Sequence, residues 1–187
     1  MNKENSTDLS SPFRETEGFL NSAISRLTDY KSLCDRTFSQ LNELDFHFIP
    51  AEECNSIAII IQHMHGNMLS RWTDFLNSDG EKEWRKRDAE FEDQKMSKDN
   101  LLKLWSDGWD CVIAALNSLN KDDLLKTIHI RSESFSVADA INRQLAHYSY
   151  HVGQIIYIAR IIKNKNWQSL SIPKGQSATY NNPKRLS

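Results

Sequence analysis

At 187 residues and 39% hydrophobic, with eight Phe, five Trp and five Tyr, the chain has the apolar material for one compact domain with its own core. Its 23 Lys and Arg against 25 Asp and Glu leave a formal charge of −2, which provides no chain-wide cationic field and excludes nucleic acid as the expected partner. The longest strongly apolar run, "IAIII", is far short of the roughly 20 residues of a membrane span, the start "MNKENSTDLSSP" has no apolar signal stretch, and Cys34, Cys54 and Cys111 are odd in number and form no CxxC pair, so a soluble, reduced, cytoplasmic protein is expected.

Residues 1–12 read as a flexible N-terminal segment, residues 13–164 as a four-helix bundle domain and residues 165–187 as a C-terminal tail. From Phe13 to about Leu41, Leu20, Ile24, Leu27, Cys34 and Phe38 recur at steps of three, four and seven, the pattern of an amphipathic helix. Pro50 breaks the chain, and Asn55 or Ser56 can cap a second helix carrying Ile57, Ile60, Ile61, Met64, Met68, Trp72 and Phe75, which stops near "NSDG". Residues 77–96 lack an apolar period and carry both signs of charge, so they read as a long ordered loop. Ser97 can cap a third helix through Leu101, Leu104, Trp105, Val112, Leu116 and Leu119, and "KTIHIRSESFSV" alternates enough for a short hairpin. "SVAD" at Ser136 to Asp139 opens a fourth helix whose stripe runs through Ile141, Leu145, Tyr148, Val152, Ile155, Ile158 and Ile162 and ends near Asn164. Four amphipathic helices with no strand-rich segment bury their stripes most simply as an all-α bundle.

The fourth helix carries "QLAHYSYHVGQI", in which His147 and His151 sit one turn apart beside the apolar stripe. Side chains at i and i+4 have Cβ atoms about 5–6 Å apart, so both imidazoles can meet one ion; they can equally be core-edge histidines bonded to neighbours. The second helix carries His63 and His65 in "IIQHMHGNMLSRW", where a third imidazole could face the pair across the core, and the helical wheel does not choose between the two. Known histidine motifs narrow the chemistry. Tyr148 stands where an HExxH peptidase needs its Glu, none of the six histidines has a Glu three residues before it as a di-iron bundle requires, and no CxxCH is present for attached haem.

The segments "IIQHMHGNMLSRWTDFL", "DGEKEWRKRDAEFE", "QLAHYSYHVGQIIYIAR" and "WQSLSIPKGQS" together resemble a branch of the DinB-like superfamily, which contains the bacillithiol and mycothiol S-transferases. The resemblance spans nearly the whole chain. It implies an up-down-down-up four-helix bundle with a divalent metal held by one His of the second helix and an HxxxH pair of the fourth, here His63, His147 and His151, with His65 the alternative in the second helix. Three neutral imidazoles suit zinc or nickel and leave a coordination position open. The expected function is a divalent-metal-dependent thiol S-transferase in detoxification or stress response, with a low-molecular-weight thiol as co-substrate and a small molecule as substrate. A metal-dependent hydrolase of a small ester or amide, and a non-catalytic metal-binding bundle, are the alternatives.

Around the histidines, Asn67 and Gln144 could orient ligand imidazoles, and Arg71, two turns past His63, reads as a solvated or loop-bonded side chain. "EKEWRKRDAEFE" reads as an ion-paired surface loop or dimer contact. Trp167, Leu170, Ile172 and Tyr180 in the polar tail suggest docking onto the bundle or a partner subunit, and a homodimer is expected.

Overall fold

The computed structural model describes residues 12–177, so residues 1–11 of the expected N-terminal segment and residues 178–187 of the tail, Tyr180 included, lie outside the described residues. The described chain is mostly helical, with one two-stranded sheet. Four long helices, α1 (Pro12–Phe38), α3 (Ile57–Trp72), α4 (Lys98–Asn117) and α5 (Val137–Lys163), are joined by a short helix α2 (Glu43–Phe46), a charged loop and a hairpin of β1 (Thr127–Ile130) and β2 (Glu133–Ser136). No described helix is long and apolar enough to cross a membrane.

Side-chain caps set the helix starts. The hydroxyls of Ser56, Ser97 and Ser136 accept the amide N–H three residues on, at 3.3, 3.4 and 3.1 Å, and open α3, α4 and α5. The first helix ends three residues sooner than its apolar period suggests, at Phe38, because Asn42 and Asp45 form a reciprocal capping box that starts α2. α3 ends at Trp72 rather than Phe75: Thr73 is extended and Asp74 has φ 47°.

α3 packs along α4 and α1 along α5, with thinner seams between α1 and α4 and between α3 and α5. Gly108 permits the close approach of the first pair, since a Cβ there would lie 2.9 Å from Met68 Sδ and 3.4 Å from His65 Cα. The shared core buries Leu27, Phe38, Ile57, Ile61, Met64, Trp109, Tyr148 and Ile155 to 2% exposure or less. At its centre the Trp72 indole N–H donates to the Tyr148 hydroxyl at 2.9 Å, and that hydroxyl donates to Asn67 Oδ1 at 3.3 Å, so the polar ends of three buried side chains satisfy one another.

The loop between α3 and α4 is fastened to the hairpin. Gly80 N–H donates to His129 O at 2.8 Å, and the Asp79 carboxylate takes the amides of Arg131 and Ser132, each at 2.8 Å. Those two residues form the hairpin turn with φ of 55° and 64°, left-handed values that side-chain-bearing residues rarely adopt, and the carboxylate compensates for the cost by satisfying both turn amides. In the tail, Gln40 exchanges two hydrogen bonds with the Gln168 backbone, Arg36 donates to Leu170 O at 3.0 Å, and Trp167 packs against the core. Trp167 to Leu170 therefore dock at the C-terminal end of α1, whereas Ile172 and the rest of the described tail are exposed.

Candidate metal centre

α3 supplies His63, and α5 supplies His147 and His151 from adjacent turns of one face. The structure brings these three together: a ligand-capable atom of each lies within 4.8 Å of the others. Their ring centroids are 4.8 to 5.5 Å apart, and His63 Nε2 stands 3.5 Å from His147 Nε2. Two nitrogens each about 2.0–2.1 Å from one tetrahedral ion would stand about 3.4 Å apart. The spacing of that pair is therefore the spacing a common ion requires.

Protonation follows from the neighbours. His63 Nδ1 donates to Glu90 Oε2 at 3.0 Å and His151 Nδ1 donates to Gln154 Oε1 at 2.8 Å, which leaves both Nε2 atoms as lone-pair nitrogens. Burial, reinforced by the positive character of His151, His63, Arg71 and Arg85, pushes the His147 imidazole down to about 3. Burial also lowers His151 to about 4, against the opposing hydrogen bond to Gln154. Both rings are neutral at pH 7, the state in which an imidazole coordinates a metal. His147 Nδ1 and His151 Nε2 are buried without a hydrogen-bond partner among the described residues. A cation at the shared point would satisfy the second of these, so the donor set fits a divalent ion.

Glu90 is itself held in place. Arg85 Nε and one terminal nitrogen grip its two oxygens at 2.7 and 2.8 Å. Burial alone would raise this carboxyl, but the hydrogen bonds from Arg85 and His63 outweigh it and keep it below the usual carboxylate value. The space that it fills is open because position 66, one turn past His63, is glycine. Phe91 stacks on His63 at 4.8 Å and 28°, and Tyr150 lies 4.2 Å from the His151 ring. The three imidazoles face a cavity of about 530 Å³.

A family model described as "Protein of unknown function (DUF1572)" matches residues 14–176, a span that includes every residue of this site. The chain belongs to the DUF1572 family. No curated protein matches it.

In this DUF1572 chain the other candidate residues fall outside the imidazole cluster or touch it indirectly. His65 is half-buried on the α4 side of α3, beside Leu104 and Trp84, and does not join the cluster. Asn67 and Gln144 line the cavity, but neither hydrogen-bonds an imidazole: Asn67 serves Tyr148, and Gln144 Oε1 has no partner. The orienting acceptors are Glu90 and Gln154 instead. Gln154 lies three residues past His151, on the same helical face, and was readable from that spacing. Glu90 lies in the charged loop, 27 residues from His63, where no local pattern marks it. Arg71 is buried and loop-bonded, donating to Gly80 O and Glu81, yet it also lines the cavity.

Proposed function

We propose that the chain is a metalloenzyme on an up-down-down-up four-helix bundle of the DinB-like type. In this reading His63, His147 and His151 hold a zinc or nickel ion, and the enzyme transfers a low-molecular-weight thiol to a small electrophile in cytoplasmic detoxification or stress response. The observation that carries the reading is the meeting of three imidazoles at the wall of an open cavity. A structural metal site is closed by protein ligands, whereas three ligands facing a cavity leave a position for a small molecule.

A bound divalent ion would favour the thiolate of a thiol whose free pKa is about 8.5, making a nucleophile available at neutral pH. The chain's own residues prepare the site. Glu90 and Gln154 keep protons on the Nδ1 atoms of His63 and His151, so that the opposite nitrogens remain free. Phe91 stacks on the face of His63, and Tyr150 packs at a tilt against His151, so both rings are braced in place. In the transfer the thiol proton passes to solvent, sulfur forms a bond to the electrophilic carbon, and the leaving group departs with its bonding pair.

The test is elemental analysis of protein purified without chelator or histidine tag, followed by turnover assays with thiols and alkylating electrophiles. Transfer that is lost on chelation and restored by zinc or nickel supports the proposal. Ester or amide hydrolysis without thiol would replace it with the hydrolase, and bound metal without turnover would replace it with the non-catalytic bundle.

A further inference from the structure

The cavity that receives the imidazoles has a second property, independent of them. Arg71, Arg85, Arg87, Arg131 and Arg143 all line it, and among the described residues no aspartate or glutamate does. They come from α3, the charged loop, the hairpin turn and α5, so the fold gathers them from four separate segments. In a chain of net charge −2 such a one-signed wall is not a sampling of the surface at large.

The guanidiniums exceed their counter-charges. Glu81 serves Arg71 at 3.2 Å and Arg131 at 2.9 Å, and Glu90 serves Arg85 at 2.7 Å while also accepting from His63. Two carboxylates thus face five guanidiniums. Among the described residues neither Arg87 nor Arg143 has a carboxylate within ion-pair distance; Arg143 instead rests over the Phe135 ring, 5.3 Å from its centroid. Hydrogen bonding at this wall is also incomplete. Of six buried side-chain atoms without a hydrogen-bond partner among the described residues, five belong to lining residues, namely Arg71, Arg85, Gln144, His147 and His151. The Arg85 side chain is only 1% exposed and one of its terminal nitrogens is among these atoms. The exposed Arg87 and Arg143 carry positive charge without a carboxylate partner beside a wall whose buried Arg71 and Arg85 have N–H groups left unbonded, and an anion entering the cavity would make good both deficits. The planar fork of arginine fits carboxylate and phosphate oxygens two at a time.

We propose that the small molecule received by this site carries at least two negative charges, as carboxylate or phosphate groups, and that Arg87 and Arg143 at the cavity bind it directly. The proposal takes the cavity as the substrate site of the reading above and names the class of molecule that enters it. A neutral or cationic substrate would gain nothing from these side chains.

Calorimetric titration tests this on zinc-loaded protein and on the His147→Ala variant freed of metal, with succinate, inorganic phosphate and dimethyl succinate as probes. Succinate or phosphate is expected to bind both proteins, the tighter of the two identifying the headgroup, and to weaken with added salt, while the uncharged diester does not bind. The double variant Arg87→Gln/Arg143→Gln should keep its melting temperature, because both side chains are exposed and make no ion pair among the described residues, yet lose about tenfold or more in anion affinity. The proposal is overturned if neither anion binds at millimolar concentration, if the double variant binds undiminished, or if binding requires the metal. Anion binding to the metal-free variant without any thiol transfer by the loaded enzyme would overturn the reaction and leave this inference standing. Thiol transfer without anion binding would do the reverse.

Discussion

The carboxylate of Glu90 occupies the space that a side chain on Gly66 would need: a Cβ there would lie 2.7 Å from Glu90 Cδ and 3.3 Å from Cγ. Glycine in mid-helix is unfavourable by about 0.5–1 kcal/mol relative to alanine. Here that cost admits the group that fixes the His63 proton.

Gly66→Ala should therefore weaken both stability and metal binding. The helix gains about 0.5–1 kcal/mol of intrinsic propensity, but displacement of Glu90 breaks its pairing with the buried Arg85, so denaturant resistance should fall, and metal affinity should drop by about 10–100-fold, as it also should in Glu90→Gln. Competition against a chromophoric chelator, with urea unfolding in parallel, reads both. Unchanged affinity in the two variants would remove Glu90 from the site.

His63→Ala, His147→Ala and His151→Ala should each release most of the metal, because two remaining protein ligands seldom hold a divalent ion well. His65→Ala should keep it, since its ring lies on the α4 side of α3. Metal content after dialysis, with helix content checked by circular dichroism, decides. Retention by all of the first three would show the imidazoles to be ordinary core-edge residues.

The lowered imidazoles set a pH dependence for the metal-free protein. Folded values of about 3 for His147 and about 4 for His151 lie below the ordinary value of 6.5, so at intermediate pH the unfolded chain binds more protons than the folded one. Stability from keeping both rings neutral is fully present above pH 6.5, falls progressively as pH drops below that value, and is wholly lost once pH has passed through about 4 for His151 and about 3 for His147. Urea midpoints should drop between pH 7 and pH 5 in wild type and drop less in His147→Gln/His151→Gln. Parallel curves would contradict the assignment.

Tyr148→Phe should cost about 1–3 kcal/mol, because it leaves the buried Trp72 N–H without an acceptor and Asn67 Oδ1 without a donor. Urea unfolding monitored by tryptophan fluorescence measures it. A neutral substitution would mean that water replaces the hydroxyl.

A homodimer is expected at micromolar concentration by light scattering. Tyr150, Tyr157 and Ile161 expose 52%, 68% and 45% of their surface along one side of α5, an apolar stripe that a second copy could cover. A monomeric mass would count against it.

Much of this arrangement was legible in one dimension. Ser56, Ser97 and Ser136 mark helix starts because capping is a local interaction, and the HxxxH pair is legible because i and i+4 share a face. The choice of His63 over His65 was not, since both flank the apolar stripe of α3. Packing decides it: α4 presses on the His65 side, where Gly108 comes close to His65 Cα. The arginine wall was hidden for a related reason. Its loop members are interleaved with acidic residues along the chain, and only the folded loop turns Glu81 and Glu90 to one set of partners while leaving Arg87 unpaired.

His63 and the α5 pair sit on opposite sides of the thinner seam between α3 and α5, whereas the broad contacts join α3 to α4 and α1 to α5. An ion shared by these histidines would act as a rivet between two helix pairs, tying positions 84 residues apart in the chain. Metal loading would then stiffen the molecule across one of its two thin seams, slowing amide exchange in α3 and α5 together, and the metal-free protein would be looser there.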